Sequence, residues 1–292
     1  MHTLVQAIIL GVLTGGVYAL MASGQTLIFG IMRVVNLAQG ALVILAAYLS
    51  YSLFADLGID PFLSVLLTTP LLFALGASIQ LTVLRRLRTE DATELSLLVT
   101  FAVAVGVEGV LALLYKTTYR SIKAGYADTS WLVGGYRIPA VRLYAFLLSA
   151  AVLAGLAGLL GRTRLGHAIR ATAQNPSSAR LLGIDVDRIS AVGFGLGAAA
   201  AAAAGAVYGL SYPFNPNSHY DLISRLLTIV VLGGLGSIGG AIVAAVSMGV
   251  VSSVVAVEFS PVWGDFTFFA VLLAVLLIRP TGLFGVTQRG NA

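Results

Sequence analysis

The chain has 292 residues, 58% of them hydrophobic and only 10% charged, with a mean hydropathy of +0.96; a water-soluble fold of this size could not bury so much apolar surface. The net charge is +5, but the basic residues stand at the ends of apolar runs, where they orient a protein in a bilayer rather than bind nucleic acid. Cysteine is absent, and His2, His167 and His219 lie far apart, which excludes a disulfide framework, a thiol nucleophile and a thiolate metal site.

A hydrocarbon core about 30 Å thick needs roughly 20 helical residues to cross it. Runs of this kind are Leu4–Phe29, Leu37–Phe54, Pro61–Leu84, Leu95–Tyr115, Val141–Leu160, Ile189–Leu210, Ile223–Val257 and Phe266–Ile278. They are continuous rather than alternating with period two, so helices rather than barrel strands are expected to satisfy their backbone groups in lipid. Met1-His2-Thr3 lacks the cationic stretch of a secretory signal, and the first run is read as a retained span. The seventh run is too long for one helix and is broken by Gly233-Gly234-Leu235-Gly236-Ser237-Ile238-Gly239-Gly240. It forms either two spans or one span with a re-entrant half-helix. The last run extends over Trp263 and Gly264. The expected fold is an all-α polytopic protein of the cell (inner) membrane, one domain over residues 1–292, with eight or nine transmembrane or re-entrant helices.

Arg85, Arg86 and Arg88 follow the third run; Arg162, Arg164, Arg170, Arg180 and Arg188 follow the fifth. The positive-inside rule assigns both groups to the cytoplasm, and the parity of the intervening spans agrees. The N-terminus is then outside. So is the loop Lys116–Arg142, although Lys116, Arg120, Lys123, Arg137 and Arg142 run against the rule. Arg279 and Arg289 are cytoplasmic only if the seventh run crosses twice. Gly11, Gly15, Gly16, Gly155, Gly158, Gly193, Gly195, Gly197, Ala198–Ala204, Gly205 and Gly209 are small residues of the kind that lets helices approach closely in lipid.

Residues 162–188 form the longest cytoplasmic loop. Leu165, Ala168, Ile169 and Thr172 recur at helical spacing, with Arg164 and Arg170 facing elsewhere. Asn175-Pro176 reads as an N-cap and first helical position, and Gly183 as a stop. Two short helices around a turn make either a docking element, with Gly166, His167 and Ala171 in its first part, or an interfacial loop lying on lipid. Between the first two spans, Ile28–Gly40 holds Arg33, Asn36 and Gln39. Asn36 and Gln39 are three apart and share a helix face; turned into the bundle, that face lines a solute path with amide groups. Turned away, it ends a helix at the membrane boundary. Glu108 stands inside an apolar run, where an ionisable group faces a cavity or a partner and marks a functional site, or serves as a neutral packing residue.

Gly234-Leu235-Gly236-Ser237-Ile238-Gly239 matches G-x-G-x-x-G, follows Ile229-Val230-Val231-Leu232, and precedes Glu258 by about the spacing of a dinucleotide fingerprint. Such a site requires further βαβ units, and membrane runs flank this stretch on both sides. A helix break at Gly233, Gly234, Gly236 and Gly239 is the expectation, placed where protein or a water-filled cavity satisfies the freed backbone. No G-x-x-x-x-G-K-[ST] occurs, so the chain has no P-loop of its own. No paired carboxylates, HExxH or nucleophile–base arrangement appears either. Catalytic residues, metal and cofactor are therefore not expected.

Three segments in order resemble the permease subunits of branched-chain amino-acid ABC importers, the LivH type: Gly16-Val17-Tyr18-Ala19-Leu20 continuing through Gly30 to Asn36-Leu37-Ala38-Gln39-Gly40; the loop Gly166–Gly183 with Arg170-Ala171 and Leu182-Gly183-Ile184; and Val231–Gly240 with Arg279-Pro280-Thr281-Gly282-Leu283-Phe284-Gly285. The resemblance implies a subunit without an ATPase site, assembled with a second, paralogous permease, two ATP-binding subunits and an extracytoplasmic substrate-binding protein. It implies that residues 162–188 dock the ATPase subunits. Gln39 stands where the family commonly has histidine, and Glu108 where an uncharged polar residue is expected, and both departures bear on the solute. Urea and short amides are carried by near relatives. A stand-alone secondary transporter or a channel is the alternative of another class, although no internal repeat is visible.

Overall fold

The computed structural model describes residues 2–87, 92–278 and 282. Arg88, Arg279, Arg289 and all of the closing Arg279–Gly285 segment except Gly282 lie outside the described residues. In chain order the helices are α1 (His2–Met32), α2 (Gln39–Leu57), α3 (Pro61–Thr82), α4 (Ala92–Tyr115), α5 (Ala140–Arg162), α6 (Arg164–Gln174), α7 (Pro176–Leu181), α8 (Val186–Ser211), α9 (His219–Gly233), α10 (Ile238–Glu258) and α11 (Pro261–Ile278). Eight of these, all but α6, α7 and α9, are long and apolar enough to cross a membrane. The protein is an all-α polytopic membrane protein.

Local chemistry sets the ends. Asp60 caps α3 by accepting from Phe62 N at 2.8 Å, with Pro61 at the first helical position. Gly58 stops α2 in the left-handed conformation that a Cβ disfavours, at φ 68°. Asp185 caps α8 and Ser237 caps α10, each accepting a backbone N–H of its own first turn at 3.1 Å.

At the centre of the bundle lies α8. Of its most apolar window 78% is buried, against 11% for α5 and α11. Its alanines and glycines make this possible: Ala201–Ala204 are at most 1% exposed, and a Cβ on Gly205 would collide with the backbone of Val43 in α2. A second close pairing joins α1 to α10. Gly11 lies against Val250, Gly15 against Val246, and Gly30 beside Gly236. That order makes the two helices antiparallel, with the start of α10 beside the end of α1. Gly155 and Gly158 differ from expectation: nothing lies within 4 Å of a Cβ at either, because they sit on the outer side of α5.

Two faces result. The loop face carries α6 and α7. The opposite, hairpin face carries β1 (Ser130–Val133) and β2 (Tyr136–Pro139), antiparallel with Ser130 opposite Pro139. Gly134 and Gly135 join them with φ of 58° and 85°, as a two-residue hairpin turn requires. This small sheet is an addition to the expected fold. Tyr126 donates to Asp60 at 2.8 Å and ties the loop to α3; burial, and then this bond, push its hydroxyl pKa above the ordinary tyrosine range. Two of the five cations that ran against the positive-inside rule are not free loop charges. Arg120 donates to Tyr51 at 3.1 Å, and Arg142 lies within α5.

The seventh run divides in two. Residues 212–218 descend from the hairpin face, where Arg120 and Phe214 form a β-bridge. Then α9 continues until Gly233 abuts Gly240 near the loop face. At 15 residues, α9 rises about 22 Å, less than the thickness of a hydrocarbon core; residues 212–218, extended and then a 3-10 turn over Pro216–Ser218, make up the rest of the crossing.

Gly205→Leu is expected to destabilise the isolated chain by at least about 2–3 kcal/mol through overpacking. Gly155→Leu should stay within about 0.5 kcal/mol. Thermal unfolding of both variants in detergent checks the contrast.

Candidate functional site

The amide pair comes together, but not on a helix face as the spacing suggested. Helix α1 ends when Arg33 takes φ 56°, and residues 33–38 return into the bundle without helical structure. Asn36 belongs to this unwound turn and Gln39 to the first residue of α2. Asn36 Nδ2 donates to Gln39 Oε1 at 3.4 Å, and Asn36 Oδ1 accepts from Ala38 N at 3.1 Å. Gln39 Nε2 donates to the carbonyl of Gly197 in α8 at 3.1 Å. Leu37 N donates to Thr100 Oγ1 of α4 at 3.2 Å. Two backbone N–H groups of the unwound turn are therefore satisfied by side chains, one by Thr100 of α4 and one by Asn36 of the turn itself, as lipid demands. Both amides are fully buried.

Glu108, on α4, has found partners. His219 Nε2 and Tyr220 Oη both donate to its Oε2, each at 2.9 Å. His219 is 2% exposed, and its Nδ1 has no partner among the described residues. Both donors belong to the first turn of α9, whose positive dipole end favours a carboxylate. The backbone of His219 lies against Gly40, one residue after Gln39. The start of α9 thus joins Glu108 to the Asn36–Gln39 turn. Nothing in the sequence flagged Tyr220, and His219 was visible only as an isolated histidine.

At its other end α9 meets the glycine break. The preceding Ile229–Leu232 is helical, not a strand, so the dinucleotide-like motif sits between two membrane helices. Gly233 and Gly240 pack backbone on backbone, while Gly234 and Gly236 take φ of 88° and 85°. Gly239 faces open space.

The long loop folds as two short helices. Thr163 caps α6 by accepting from Gly166 N at 3.0 Å, and Asn175 caps α7 by accepting from Ser178 N at 3.0 Å. Gly183, at φ 82°, ends the unit. Gly166 is held so tightly against the carbonyls of Leu159 and Leu160 that a Cβ would not fit. Ile169 and Thr172 turn inward, Ala171 is half-buried, and Arg164, His167 and Arg170 remain exposed. Leu181 and Leu182 are 89% and 78% exposed beside them. The sequence motif included Leu182, but no local pattern marked either leucine as exposed. Ile169 and Arg170 share a cavity of about 330 Å³ with Gly236 and Ile238 of the break.

Two larger polar cavities open on opposite faces. One of about 560 Å³ at the loop face includes Gln80, Arg85 and Asp187, with Arg85 Nε 3.0 Å from Asp187. The other, about 480 Å³, opens at the hairpin face. Among the described residues no group of three His, Asp or Glu converges as a metal site.

Residues 7–276 match the model of a family described as branched-chain amino acid transport system / permease component. The chain belongs to this family. This permease is 30% identical to the high-affinity branched-chain amino acid transport system permease protein LivH of Salmonella typhimurium, over 94% of the chain and 93% of that protein. It is also 30% identical to the permease protein BraD of Pseudomonas aeruginosa, over 96% and 95%. A chain of PsaBC from Streptococcus pneumoniae in complex with Fab aligns over 97% of the permease and 92% of its own length, at 14% identity and a TM-score of 0.47, a likeness too distant to assign anything. The protein is a non-catalytic membrane permease subunit of an ABC-type importer. Membership implies the usual complex of such importers, with ATPase subunits, a paralogous permease and a binding protein.

Glu108→Ala takes the shared acceptor away from the buried His219 and the exposed Tyr220, and loss of the partner of the buried donor should destabilise the permease by about 1–3 kcal/mol. Glu108→Gln keeps an acceptor for them and should lose less. The order of the two unfolding midpoints in detergent tests the cluster; equal midpoints would mean that the carboxylate is not holding α9.

Proposed function

We propose that this permease serves an importer of branched-chain amino acids, with two ATP-binding subunits, one paralogous permease and an extracytoplasmic substrate-binding protein as its partners. In this reading the loop face is cytoplasmic, the hairpin face is outside, and the outer sides of α4, α5 and α11 meet lipid. Residues 162–188 are the coupling loop. Leu181 and Leu182 offer an apolar contact in a loop that also exposes Arg164, His167, Arg170 and Arg180, which suits a partner with an apolar socket and acidic groups.

The observation that carries the proposal is the seat of α6. Ile169 belongs to a buried cluster with Leu27, Ile31, Leu156 and Leu160 against which Ile238 packs, so force applied to the loop by closing ATPase subunits reaches the α9–α10 break. Through α9 it arrives at His219 and Tyr220, which hold Glu108. Asn36, Gln39 and Glu108 then mark the solute path, with α9 as the lever that shifts between two packings. Solute selection falls mainly to the binding protein, and the permease provides a weak polar route.

A second reading, a permease for urea or short amides, draws on Gln39 and Glu108, where this chain departs from the family pattern. Parallel uptake of leucine and urea by the assembled importer separates the two. A stand-alone transporter or channel would instead move solute in proteoliposomes holding this chain alone.

The double charge reversal Arg164→Glu with Arg170→Glu should leave ATP hydrolysis by the reconstituted complex measurable while cutting ATP-driven leucine uptake at least tenfold. Uptake at the wild-type rate in that variant would sink the coupling role of the loop.

A further inference from the structure

The groove at the hairpin face is not part of the path described above. Its volume of about 480 Å³ falls in the range of small-molecule sites, about 300–1,000 Å³. It opens between the ends of α5, α8, α10 and α11, and its floor is formed by α1 and α9. Small residues keep one wall thin: Gly264 sits against Ser252, whose hydroxyl donates to the Gly264 carbonyl at 3.0 Å.

Charge is concentrated here in a bundle that otherwise avoids it. Arg225 of α9 donates to Tyr18 Oη through Nη1 and to Asp265 Oδ1 through Nη2, each at 2.7 Å. Tyr18 is buried and Arg225 largely so, which fixes both. Asp265 is 61% exposed, so its second oxygen remains open to the groove. Arg142 lines the same groove and forms no hydrogen bond or ion pair among the described residues. Among the residues that line the groove are two guanidinium groups and one carboxylate, and of the two it is Arg225 that pairs with the carboxylate. A guanidinium fork that shares a groove with a reachable carboxylate oxygen is complementary to a molecule carrying both a carboxylate and an ammonium group.

We propose that this groove is a receiving station for a free α-amino acid, which places its carboxylate on Arg142 and its ammonium on Asp265, with Arg225 and Tyr18 holding Asp265 in place. The station rests on the importer reading only for the direction of travel, hairpin face to loop face. It does not depend on Asn36, Gln39 or Glu108. A permease carrying such a station checks the two charged ends of its solute after the binding protein lets go.

The test uses the assembled importer in lipid nanodiscs without its binding protein, and equilibrium binding of radiolabelled leucine. Saturable binding with a Kd on the order of 1 mM is expected. Arg142→Gln and Asp265→Asn should each weaken it at least tenfold, and Arg137→Gln, a loss of charge elsewhere on the same face, should leave it unchanged. Leucinamide, which lacks the carboxylate, and 4-methylpentanoate, which lacks the ammonium, should compete at least tenfold less well than leucine. If either neutral variant fails to fold, Arg142→Lys decides the matter: it keeps the charge, loses the fork, and should still weaken binding severalfold. Absence of saturable leucine binding, or wild-type binding in the Arg142 and Asp265 variants, overturns the station. If wild-type complex supplied with its binding protein and ATP nevertheless imports leucine, the importer reading survives that failure. If it binds leucine through Arg142 but imports none, the station stands and the leucine-importer reading falls.

Discussion

The governing constraint is that every backbone N–H and C=O inside a bilayer needs a partner, because hydrocarbon offers none. Eight long helices meet this demand by themselves. The functional interest lies where the chain stops being helical inside the bundle, at residues 33–38, 212–215 and 234–237. Each break is covered by polar side chains: Asn36, Gln39 and Thr100 at the first, Asn215 and Ser218 at the second, Ser237 at the third. Polar side chains are costly at that depth, and at these positions the cost is offset by bonds to the freed backbone.

A division of labour follows between centre and rim. Helix α8, rich in alanine and glycine, brings α1, α2 and α3 close enough to interlock, and packing of this kind resists continuous deformation. The short α9 differs from its neighbours. It is tied to Glu108 at one end, hinged on glycine at the other, and carries Arg225 toward the hairpin face between them. Its middle is fastened as well, through Arg225 to Tyr18 of α1 and Asp265 of α11, so a shift of α9 as a unit is felt at both faces of the bundle.

Much of this was legible in the sequence. The span positions follow from the length an apolar run needs, and the observed helices begin and end within a few residues of the runs. Asn175-Pro176 and Gly183 marked the second loop helix because capping chemistry is local. What the sequence hid was long-range or non-periodic. A spacing of three between Asn36 and Gln39 reads as a helix face, yet the same spacing also closes a turn across a helix start. His219 and Tyr220 meet Glu108 from 111 and 112 residues away, and Arg225 meets Asp265 from 40; no local pattern encodes either. Glycine counts alone did not separate Gly205, which has backbone against it, from Gly155, which has open space.

The antiparallel glycine contact between α1 and α10 also bears on how the protein is made. Residues 11 and 15 wait for residues 245–250 before their surface is covered. At about 5–20 residues per second, the ribosome needs on the order of 10–50 s to deliver that partner. Throughout this interval α1 resides in the membrane with its glycine face against lipid or an insertion chaperone. Completion of the bundle is therefore a late event in synthesis, and a chain truncated before α10 would leave the Gly11–Gly15 face of its first helix uncovered.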